Sequence, residues 1–354
     1  MATARTHGVA VVGAGNIAAA HVDAVSRLPN ARLVGVASRT HERARAFAQL
    51  HGTEAYPDLD ALLADDAVDV VAVCTPSGAH MEPAVAAARA GKHVVVEKPL
   101  EVTSERAKAI VDAADQAGVR LATIFMSRFA DANVALKQAV EAGTLGRLVQ
   151  GDAYVKWYRS QAYYDSADWR GSWRLDGGGA LMNQAIHQVD LLLWLMGPVE
   201  EVFAYAATAA HQRLEVEDTL VAVLRYRSGA LGQIAAATSL WPGRPKELDL
   251  HGELGSVTVR DDALVRWDVR DTDEEEAARM LRRYGSAATG GAADPMAISF
   301  ENHRRQYADV LAAIDEGRPP AIDGGEGLRS VELVEAIYRS VREGRPVRLE
   351  HAAA

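Results

Sequence analysis

The feature that most constrains the fold is a glycine-rich turn near the amino terminus. Gly13 and Gly15 follow the apolar run Val9–Val12 and precede an Ala-rich stretch with helical spacing. One glycine permits a tight turn after a strand, the second lets backbone amides approach a pyrophosphate, and the small Ala18 allows close helix packing. The pattern predicts a βαβ unit that binds a dinucleotide; a glycine turn without a ligand is the alternative. The predicted contacts in this turn are Gly13, Gly15, Asn16 and Ile17.

The end of the second predicted strand indicates which dinucleotide is preferred. An acidic residue about 20 positions after the glycines would accept a hydrogen bond from the ribose 2′-hydroxyl of NAD. The sequence instead places Ser38, Arg39 and Thr40 there. Arg39 can pair with a 2′-phosphate, and the two hydroxyls can hydrogen-bond to it, so NADP(H) is favoured over NAD(H). In the alternative, Ser38 or Thr40 caps the next helix, Arg39 is solvated and NAD(H) binds.

The first third of the chain alternates short apolar runs with longer stretches of helical spacing. This alternation is typical of parallel strands joined by helices, and the runs are apolar on both faces, as buried parallel strands are. We therefore predict an α/β Rossmann domain over residues 1–127. Its predicted strands are Val9–Val12, Arg32–Ala37, Val68–Cys74, His93–Val96 and Arg120–Ile124.

After about Leu148 the pattern changes to stretches that alternate apolar and polar residues. Such alternation predicts an α+β domain, residues 128–354, with a large, mainly antiparallel open sheet. One strong helix, Ala180 to Met196, is introduced by three glycines and closed by Gly197-Pro198. A surface loop around a short helix is predicted for Asp271 to Pro295, and two amphipathic helices follow it. The predicted strands are Leu148–Tyr158, Val199–Ala210, Thr219–Tyr226, Ala230–Leu240, Glu247–Leu250, Ser256–Val259 and Leu264–Trp267.

Composition argues against several functions. Thirty-eight Lys and Arg against 48 Asp and Glu give a formal net charge of −10, which opposes binding to nucleic acid or to an anionic membrane. The single cysteine, Cys74, cannot build a disulfide framework or a cysteine zinc site, so no metal is expected and a cytoplasmic location is the default. Residues 1–8 lack a signal-peptide pattern, and no apolar run reaches the roughly 18 residues of a membrane span, so neither export nor insertion is expected.

Two positions carry residues suited to proton transfer. Lys98 ends a predicted strand at the carboxyl edge of the sheet, where open α/β folds bind ligands. On the helix after the triple glycine, polar residues recur at intervals of four, three and four positions and form one stripe beside a buried apolar stripe. The polar stripe comprises Asn183, His187, Asp190 and Trp194. A solvated lysine and a structural histidine are the alternatives on the residues alone.

The glycine turn has three companion motifs. They are Thr-Pro-Ser-Gly-Ala-His at 75–80, Glu-Lys-Pro at 97–99, and the segment from Gly177 to Asp190. Together with the turn they resemble the Gfo/Idh/MocA family of sugar and cyclitol oxidoreductases, over nearly the whole chain. The resemblance implies further cofactor contacts at Thr75, Pro76, Ser77, His80, Glu97 and Lys98.

The resemblance implies an NAD(P)-dependent dehydrogenase that acts on a ring carbinol of a sugar, glycoside or cyclitol such as inositol. His187 would take the hydroxyl proton as hydride leaves the carbon, and Lys98 would stabilise the developing alkoxide. Many relatives carry aspartate at position 183; Asn183 can orient a hydroxyl but cannot titrate. The resemblance also implies that the second domain binds the substrate and forms a homodimer or homotetramer through the exposed face of its sheet.

Aromatic residues crowd the segment before the triple glycine. Flat rings with polar tips suit a polyhydroxylated ring, whose C–H faces stack on them. The predicted substrate contacts are Tyr163, Asp168 and Trp169, together with Lys98, Asn183 and His187. Two alternatives stay open: a dehydrogenase or reductase of a nucleotide-linked ketosugar, and a non-catalytic NADP-binding sensor. A short-chain dehydrogenase is excluded because no tyrosine has a lysine four positions later.

Overall fold

The computed structural model describes residues 5–285 and 300–349. The chain divides into two compact units, residues 1–126 with 300–331 and residues 127–299 with 332–354. The division expected from the sequence differs from these units mainly in residues 300–331, which pack with the first unit. The loop expected from 271 to 295 contains a helix, and its residues 286–295 lie outside the described part of the chain.

Helices and strands are numbered in chain order. The described helices are α1 Asn16–Ser26, α2 His41–His51, α3 Leu59–Leu63, α4 Met81–Arg89, α5 Ser104–Ala117, α6 Asp131–Glu141, α7 Gln161–Asp165, α8 Ile186–Met196, α9 Glu274–Tyr284, α10 Glu301–Glu316 and α11 Gly324–Glu343. The described strands are β1 His7–Val12, β2 Ala31–Ala37, β3 Glu54–Ala55, β4 Val70–Val73, β5 His93–Val96, β6 Leu121–Thr123, β7 Leu148–Lys156, β8 Val199–Ala207, β9 Thr219–Tyr226, β10 Leu231–Ala237, β11 Glu247–Gly252, β12 Gly255–Arg260, β13 Ala263–Val269 and β14 Val347–Arg348. None of the described helices combines the length and the apolar character that crossing a membrane requires.

Six parallel strands form the sheet of the first unit, in the order β3-β2-β1-β4-β5-β6. This is the strand order of a dinucleotide-binding Rossmann fold, so the predicted fold class is confirmed for this unit. Strands β1 and β4 are wholly buried, which explains their uninterrupted apolar runs. At their carboxyl ends, β1, β4 and β5 lead into the glycine turn, the 75–80 loop and the Glu-Lys-Pro motif.

Helix α10 returns to the first unit and packs against α1. The Tyr307 hydroxyl and His21 Nδ1 form a hydrogen bond of 2.7 Å, and both side chains are fully buried. Gln306 Nε2 donates to the carbonyl oxygen of Thr123, on β6, at 2.7 Å. These buried hydrogen bonds explain why a segment so late in the chain belongs to the Rossmann unit.

Eight strands form the sheet of the second unit, in the order β13-β12-β11-β7-β10-β9-β8-β14. Among the described residues every pairing except β7 with β10 is antiparallel, which confirms the mainly antiparallel sheet. Buried and exposed residues alternate along β9, so one face of the sheet packs on the core and the other is open. On the open face Val221, Val223 and Tyr205 are 49%, 54% and 72% exposed.

The helix expected from residue 180 to 196 has two parts. Ala180–Ala185 form a π-helical turn, and α8 follows it. The buried Glu217 carboxylate accepts a hydrogen bond from the Gly179 amide at 3.0 Å and so satisfies a backbone donor at the start of the turn. Glycine is required at 179, because a Cβ there would lie 1.7 Å from the Glu217 carbonyl oxygen.

Candidate active site

The glycine turn after β1 has the geometry of a phosphate-binding turn. Gly13 has φ +109°, and a Cβ there would lie 2.5 Å from the Cys74 carbonyl oxygen, so only glycine fits. Gly15, Asn16 and Ile17 are exposed. A Cβ at Gly15 would meet no atom within 4 Å, so a ligand has room to approach the backbone at the start of α1. These residues fit a dinucleotide pyrophosphate at a helix N-terminus.

The polar triplet at the end of β2 is accessible. Ser38 is half-buried, and Arg39 and Thr40 are exposed. Thr40 immediately precedes α2, but its side chain makes no capping hydrogen bond to that helix. Arg39 forms no ion pair with any residue in the described ranges. The guanidinium of Arg39 and the hydroxyl of Thr40 are therefore available to a ligand.

The loop after β4 is held by its own polar residues. Thr75 and Pro76 are half-buried, Ser77 is buried, and Thr75 Oγ1 donates to a carbonyl within the loop at 2.8 Å. The His80 ring is buried, and its two nitrogens each lie 2.9 Å from a carbonyl oxygen, of Thr75 and of Pro99. Burial lowers the pKa of His80. The ring of His80 thus joins two loops.

Glu97, the residue before Lys98, lies in a buried cluster. Its Oε1 accepts a hydrogen bond from His21 Nε2 at 2.9 Å, and His303 Nε2 lies 3.7 Å from the same oxygen. Its Oε2 accepts a hydrogen bond from the Lys98 amide at 3.0 Å. Burial opposes the charge on Glu97, but the two histidines outweigh it and hold its pKa well below the usual range. The Glu97 side chain therefore positions the Lys98 backbone.

The same cluster has the composition of a metal site. Ligand atoms of His21, Glu97 and His303 lie within 4.8 Å of one another. His21 is already bonded through its two nitrogens, to Tyr307 and to Glu97. A hydrogen-bond chain from α10 through α1 to the lysine motif accounts for this arrangement, and we assign the cluster to structure.

The catalytic candidates are carried by both compact units. Lys98 follows β5 in the first unit and is half-buried. Asn183, in the π-helical turn, and His187, in the first turn of α8, belong to the second unit and are half-buried as well. Each of the three side chains is therefore held by packing yet retains accessible surface.

Both ends of the Asn183 amide are hydrogen-bonded. Nδ2 donates to the Asp176 carboxylate, and Oδ1 accepts from Gln184 Nε2 at 2.6 Å. Asp176 is buried and also accepts from the Gly171 amide at 2.8 Å. A carboxylate therefore lies beside Asn183, although position 183 itself cannot titrate.

The polar stripe predicted on the helix is wrong at Asp190. The Asp190 carboxylate is fully buried and accepts hydrogen bonds from Arg128 Nε at 2.8 Å and Nη2 at 2.6 Å. The Arg128 guanidinium also lies 5.3 Å from the centroid of the Trp194 ring. The π-helical turn that contains Asn183 departs from the 3.6-residue period on which the stripe rests, so Asn183 does not keep the predicted spacing from the residues of α8. Asp190 is buried because it pairs with Arg128.

Tyr163 and Trp169 are grouped with two arginines, in what we call the arginine–aromatic cluster. The Arg170 guanidinium carbon lies 4.1 Å from the Tyr163 ring centroid and 4.7 Å from that of Trp169. The corresponding carbon of Arg159 lies 5.6 Å from the Tyr163 centroid. Gln184 Nε2 donates to the Tyr163 hydroxyl at 3.1 Å and thereby joins the cluster to the Asn183 network.

Sequence reasoning and structure differ at several positions around the site. Asp168 is exposed, and no hydrogen bond within the described ranges joins it to the cluster. The sequence interpretation did not include Asp176 and Gln184 among the site residues. Their positions next to the triple glycine and to Asn183 would have indicated them. The contacts of His21 and His303 with Glu97 could not be predicted, because nothing in the sequence relates these residues to one another.

Two family models match the chain. Residues 7–125 match an oxidoreductase family with an NAD-binding Rossmann fold, and residues 133–258 match the GFO/IDH/MocA C-terminal domain. The two matches fall in the Rossmann unit and in the unit that carries Asn183 and His187.

Similar proteins cover the full length of the chain. Myo-inositol 2-dehydrogenase of Thermotoga maritima is 29% identical, over 97% of this chain and 98% of that protein. The 1,5-anhydro-D-fructose reductase of Ensifer adhaerens is 32% identical, over 96% and 98%. The WlbA dehydrogenase of Bordetella pertussis, solved in complex with NADH and UDP-GlcNAcA, is 36% identical over 99% and 100%, with a TM-score of 0.88. The family suggested by the motifs is thus confirmed: this chain belongs to the Gfo/Idh/MocA family of NAD(P)-dependent oxidoreductases.

Proposed function

We propose that this protein transfers a hydride between NADP(H) or NAD(H) and a ring carbinol of a sugar or cyclitol. The observation that carries the proposal is the set of residues: a half-buried Lys98 at the carboxyl end of β5, and His187 one turn after the hydrogen-bonded Asn183. Full-length relatives named as inositol dehydrogenases and an anhydrofructose reductase support the substrate class.

Each residue has a separate task in the proposed reaction. The bound nicotinamide supplies the hydride acceptor or donor. His187 takes the substrate hydroxyl proton on a ring nitrogen, and Lys98 Nζ donates a hydrogen bond to the same oxygen as negative charge develops on it. Asn183, held by the Asp176 carboxylate, orients the hydroxyl. Tyr163 and Trp169 offer faces for the C–H surface of the ring.

For the cofactor we propose a preference for NADP(H). Support comes from the end of β2, where Arg39 is exposed and forms no ion pair within residues 5–285 and 300–349, and where the Thr40 side chain does not cap α2. Related proteins use either cofactor: a Bacillus subtilis scyllo-inositol 2-dehydrogenase, 28% identical, is named for NADP(+), and WlbA was solved with NADH. The other proposed cofactor contacts are the turn residues 13–17, the loop residues 75–77 and the backbone at 97–98.

Cofactor titrations test this preference. We expect Arg39→Ala to weaken NADPH binding about tenfold, the value of one charge-assisted contact, and to leave NADH binding unchanged. Arg43→Ala, which removes an equally exposed charge on α2, is the matched control. Tighter NADH than NADPH binding by the parent protein, or equal losses in the two variants, would overturn the preference.

A cofactor-reduction screen tests the substrate class. It should include inositols, monosaccharides, glycosides and nucleotide sugars, each with NADP(+) and NAD(+). Turnover of at least one ring carbinol is expected, and activity with none of these classes would refute the proposed reaction. A nucleotide-linked sugar is the second candidate, because the 36% identical WlbA was solved with UDP-GlcNAcA.

We further propose a cytoplasmic homodimer or homotetramer that associates through the open face of the eight-stranded sheet. Contiguous exposed apolar residues on a sheet face are typical of an interface. Val221, Val223 and Tyr205 provide them on adjacent strands. Val223→Lys should lower the mass found by sedimentation velocity, and an unchanged mass would argue against this face.

A further inference from the structure

Glu217 accepts hydrogen bonds from three consecutive backbone amides at the start of the π-helical turn. Its carboxylate oxygens accept from the Gly179 amide at 3.0 Å and from the Leu181 amide at 2.8 Å. Its backbone carbonyl oxygen accepts from the Ala180 amide at 3.1 Å. Amides at the start of a helix have no acceptor within the helix, so Glu217 supplies the acceptors that this turn lacks.

Tyr338, on α11, accepts from the next amide and is bonded to the same carboxylate. Its hydroxyl accepts a hydrogen bond from the Met182 amide at 3.3 Å and donates one to Glu217 Oε1 at 2.9 Å. Both side chains are buried, with 4% exposure for Tyr338 and 5% for Glu217. All these residues belong to the second unit. We call the pair the Glu217–Tyr338 anchor, because it holds the amides of residues 179–182.

The position of the Glu217 carboxylate has a cost. Glu217 forms no ion pair with any residue in the described ranges. Burial raises its pKa, and the hydrogen bonds from Leu181, Gly179 and Tyr338 act in the opposite direction. An apolar side chain at this position would avoid that cost but would leave buried amides without an acceptor. The carboxylate therefore fixes the residue at which the helix begins.

The anchored turn leads directly to the residues proposed for the reaction. Asn183 follows Met182, and His187 lies in the first turn of α8. A π-helical turn closes its hydrogen bonds over five residues, whereas an α-helical turn closes them over four. The direction of Asn183 relative to His187 therefore depends on the turn keeping its π-helical form. Turns of this kind within α-helices occur frequently at functional sites.

We propose that Glu217 and Tyr338 are positioning residues, which keep the π-helical turn in the form that directs Asn183 and His187 at the substrate. This inference rests on the proposed oxidoreductase function and adds to it two buried residues that act through backbone amides. A displacement of about 1 Å in groups that act on the reacting atoms can lower turnover about 100-fold. The anchor therefore affects kcat, whereas a merely structural anchor affects stability alone.

Kinetics of the intact protein, with the best substrate from the screen, test the proposal. Glu217→Gln keeps the shape of the side chain, but its NH2 group faces a donor where an acceptor stood. We expect kcat and kcat/KM to fall together by at least about tenfold, with KM changed less than about threefold. Glu217→Asp keeps the charge on a shorter side chain and should restore part of the loss. Tyr338→Phe leaves the Met182 amide without its acceptor and should lower kcat in the same way.

Asp218→Asn is the matched control. Asp218 is fully buried, and its carboxylate also accepts hydrogen bonds from backbone amides, at 2.8, 2.9 and 3.0 Å. Those amides belong to residues 209–211 and lie outside the helix. We expect this variant to lose stability as Glu217→Gln does, but to keep kcat close to that of the parent. All variants are assayed at a temperature at which circular dichroism shows them to be folded.

Amide hydrogen exchange provides a second readout that needs no substrate. In Glu217→Gln the segment 179–187 should exchange at least about tenfold faster than in the parent, because its first amides lose an acceptor. In Asp218→Asn the exchange of this segment should stay unchanged. Should Glu217→Gln fail to fold, Tyr338→Phe is the variant for the same two measurements.

The two readouts separate the possible failures. Unchanged kcat in folded Glu217→Gln, or an equal loss of kcat in Asp218→Asn, would refute the positioning role and leave the oxidoreductase function intact. Unchanged exchange of segment 179–187 would refute the anchor itself. Absence of turnover with every sugar, together with exchange that still depends on Glu217, would refute the proposed function and leave the anchor intact.

Discussion

The buried ion pair between Arg128 and Asp190 allows a quantitative test. Both side chains are nearly inaccessible, at 5% and 0% exposure, and two hydrogen bonds of 2.8 and 2.6 Å join them. Asp190→Asn keeps the shape but removes the negative charge that faces the buried Arg128 guanidinium. Loss of one partner of such a pair costs about 3–5 kcal/mol, so the free energy of unfolding should fall by that amount. For a unit of this size the melting temperature should fall by at least about 6 °C.

Urea unfolding at neutral pH measures the loss directly. Asp165→Asn breaks the exposed pair with Arg213 and is the matched control, with an expected cost below about 1 kcal/mol. Because Asp190 is engaged by Arg128, we expect folded Asp190→Asn protein to keep its turnover number within about tenfold and its pH profile unchanged. A loss under about 1 kcal/mol together with a 100-fold drop in turnover would refute this reasoning, since Asp190 would then serve His187.

Two further predictions follow from backbone contacts. Asp218 accepts hydrogen bonds from three backbone amides and His211, which overcome burial and lower its pKa from 3.8 to about 2. The ionised Asp218 carboxylate therefore stabilises the fold above pH 3.8, and this stabilisation is lost as the pH falls toward 2. The difference in free energy of unfolding between the parent and Asp218→Asn, measured with urea, should shrink over that range. A difference that does not change with pH would contradict the lowered pKa. Gly179→Ala would place a Cβ 1.7 Å from the Glu217 carbonyl oxygen and should lower the free energy of unfolding by roughly 1–3 kcal/mol or more. The Cβ of Gly15→Ala would meet no atom within 4 Å, so this variant should weaken only cofactor binding. Equal shifts in melting temperature for the two variants would argue against both assignments.

The Rossmann unit was predictable because its signals are local. The run Val9–Val12 is buried on both faces, and Gly13 permits the turn that follows it. Strand β3 was missed because two residues, Glu54–Ala55, carry no measurable period. The return of α10 was missed because it depends on contacts such as His21 with Tyr307, which lie 286 positions apart.

The candidate site could be proposed from the sequence by its residue types, but the contacts of those residues could not be predicted. Lys98, Asn183 and His187 stand in motifs, whereas the neighbours that hold them depend on tertiary structure. Helical spacing placed Asn183, His187 and Asp190 in one polar stripe, but Asn183 lies in the π-helical turn and Asp190 is buried against Arg128. The buried side chains of His80 and Glu97 could not be recognised as loop-positioning groups without their partners.

Single-turnover measurement of nicotinamide absorbance, with the best substrate from the screen, tests the central claim most directly. Lys98→Ala and His187→Ala should each slow hydride transfer by at least about 100-fold, because each removes a group that acts on the reacting oxygen in the proposed mechanism. The affinity for NADP(H), measured by fluorescence titration of the same variants, should stay close to that of the parent protein. Near-normal hydride transfer in both variants would contradict the assignment of Lys98 and His187 as the catalytic pair.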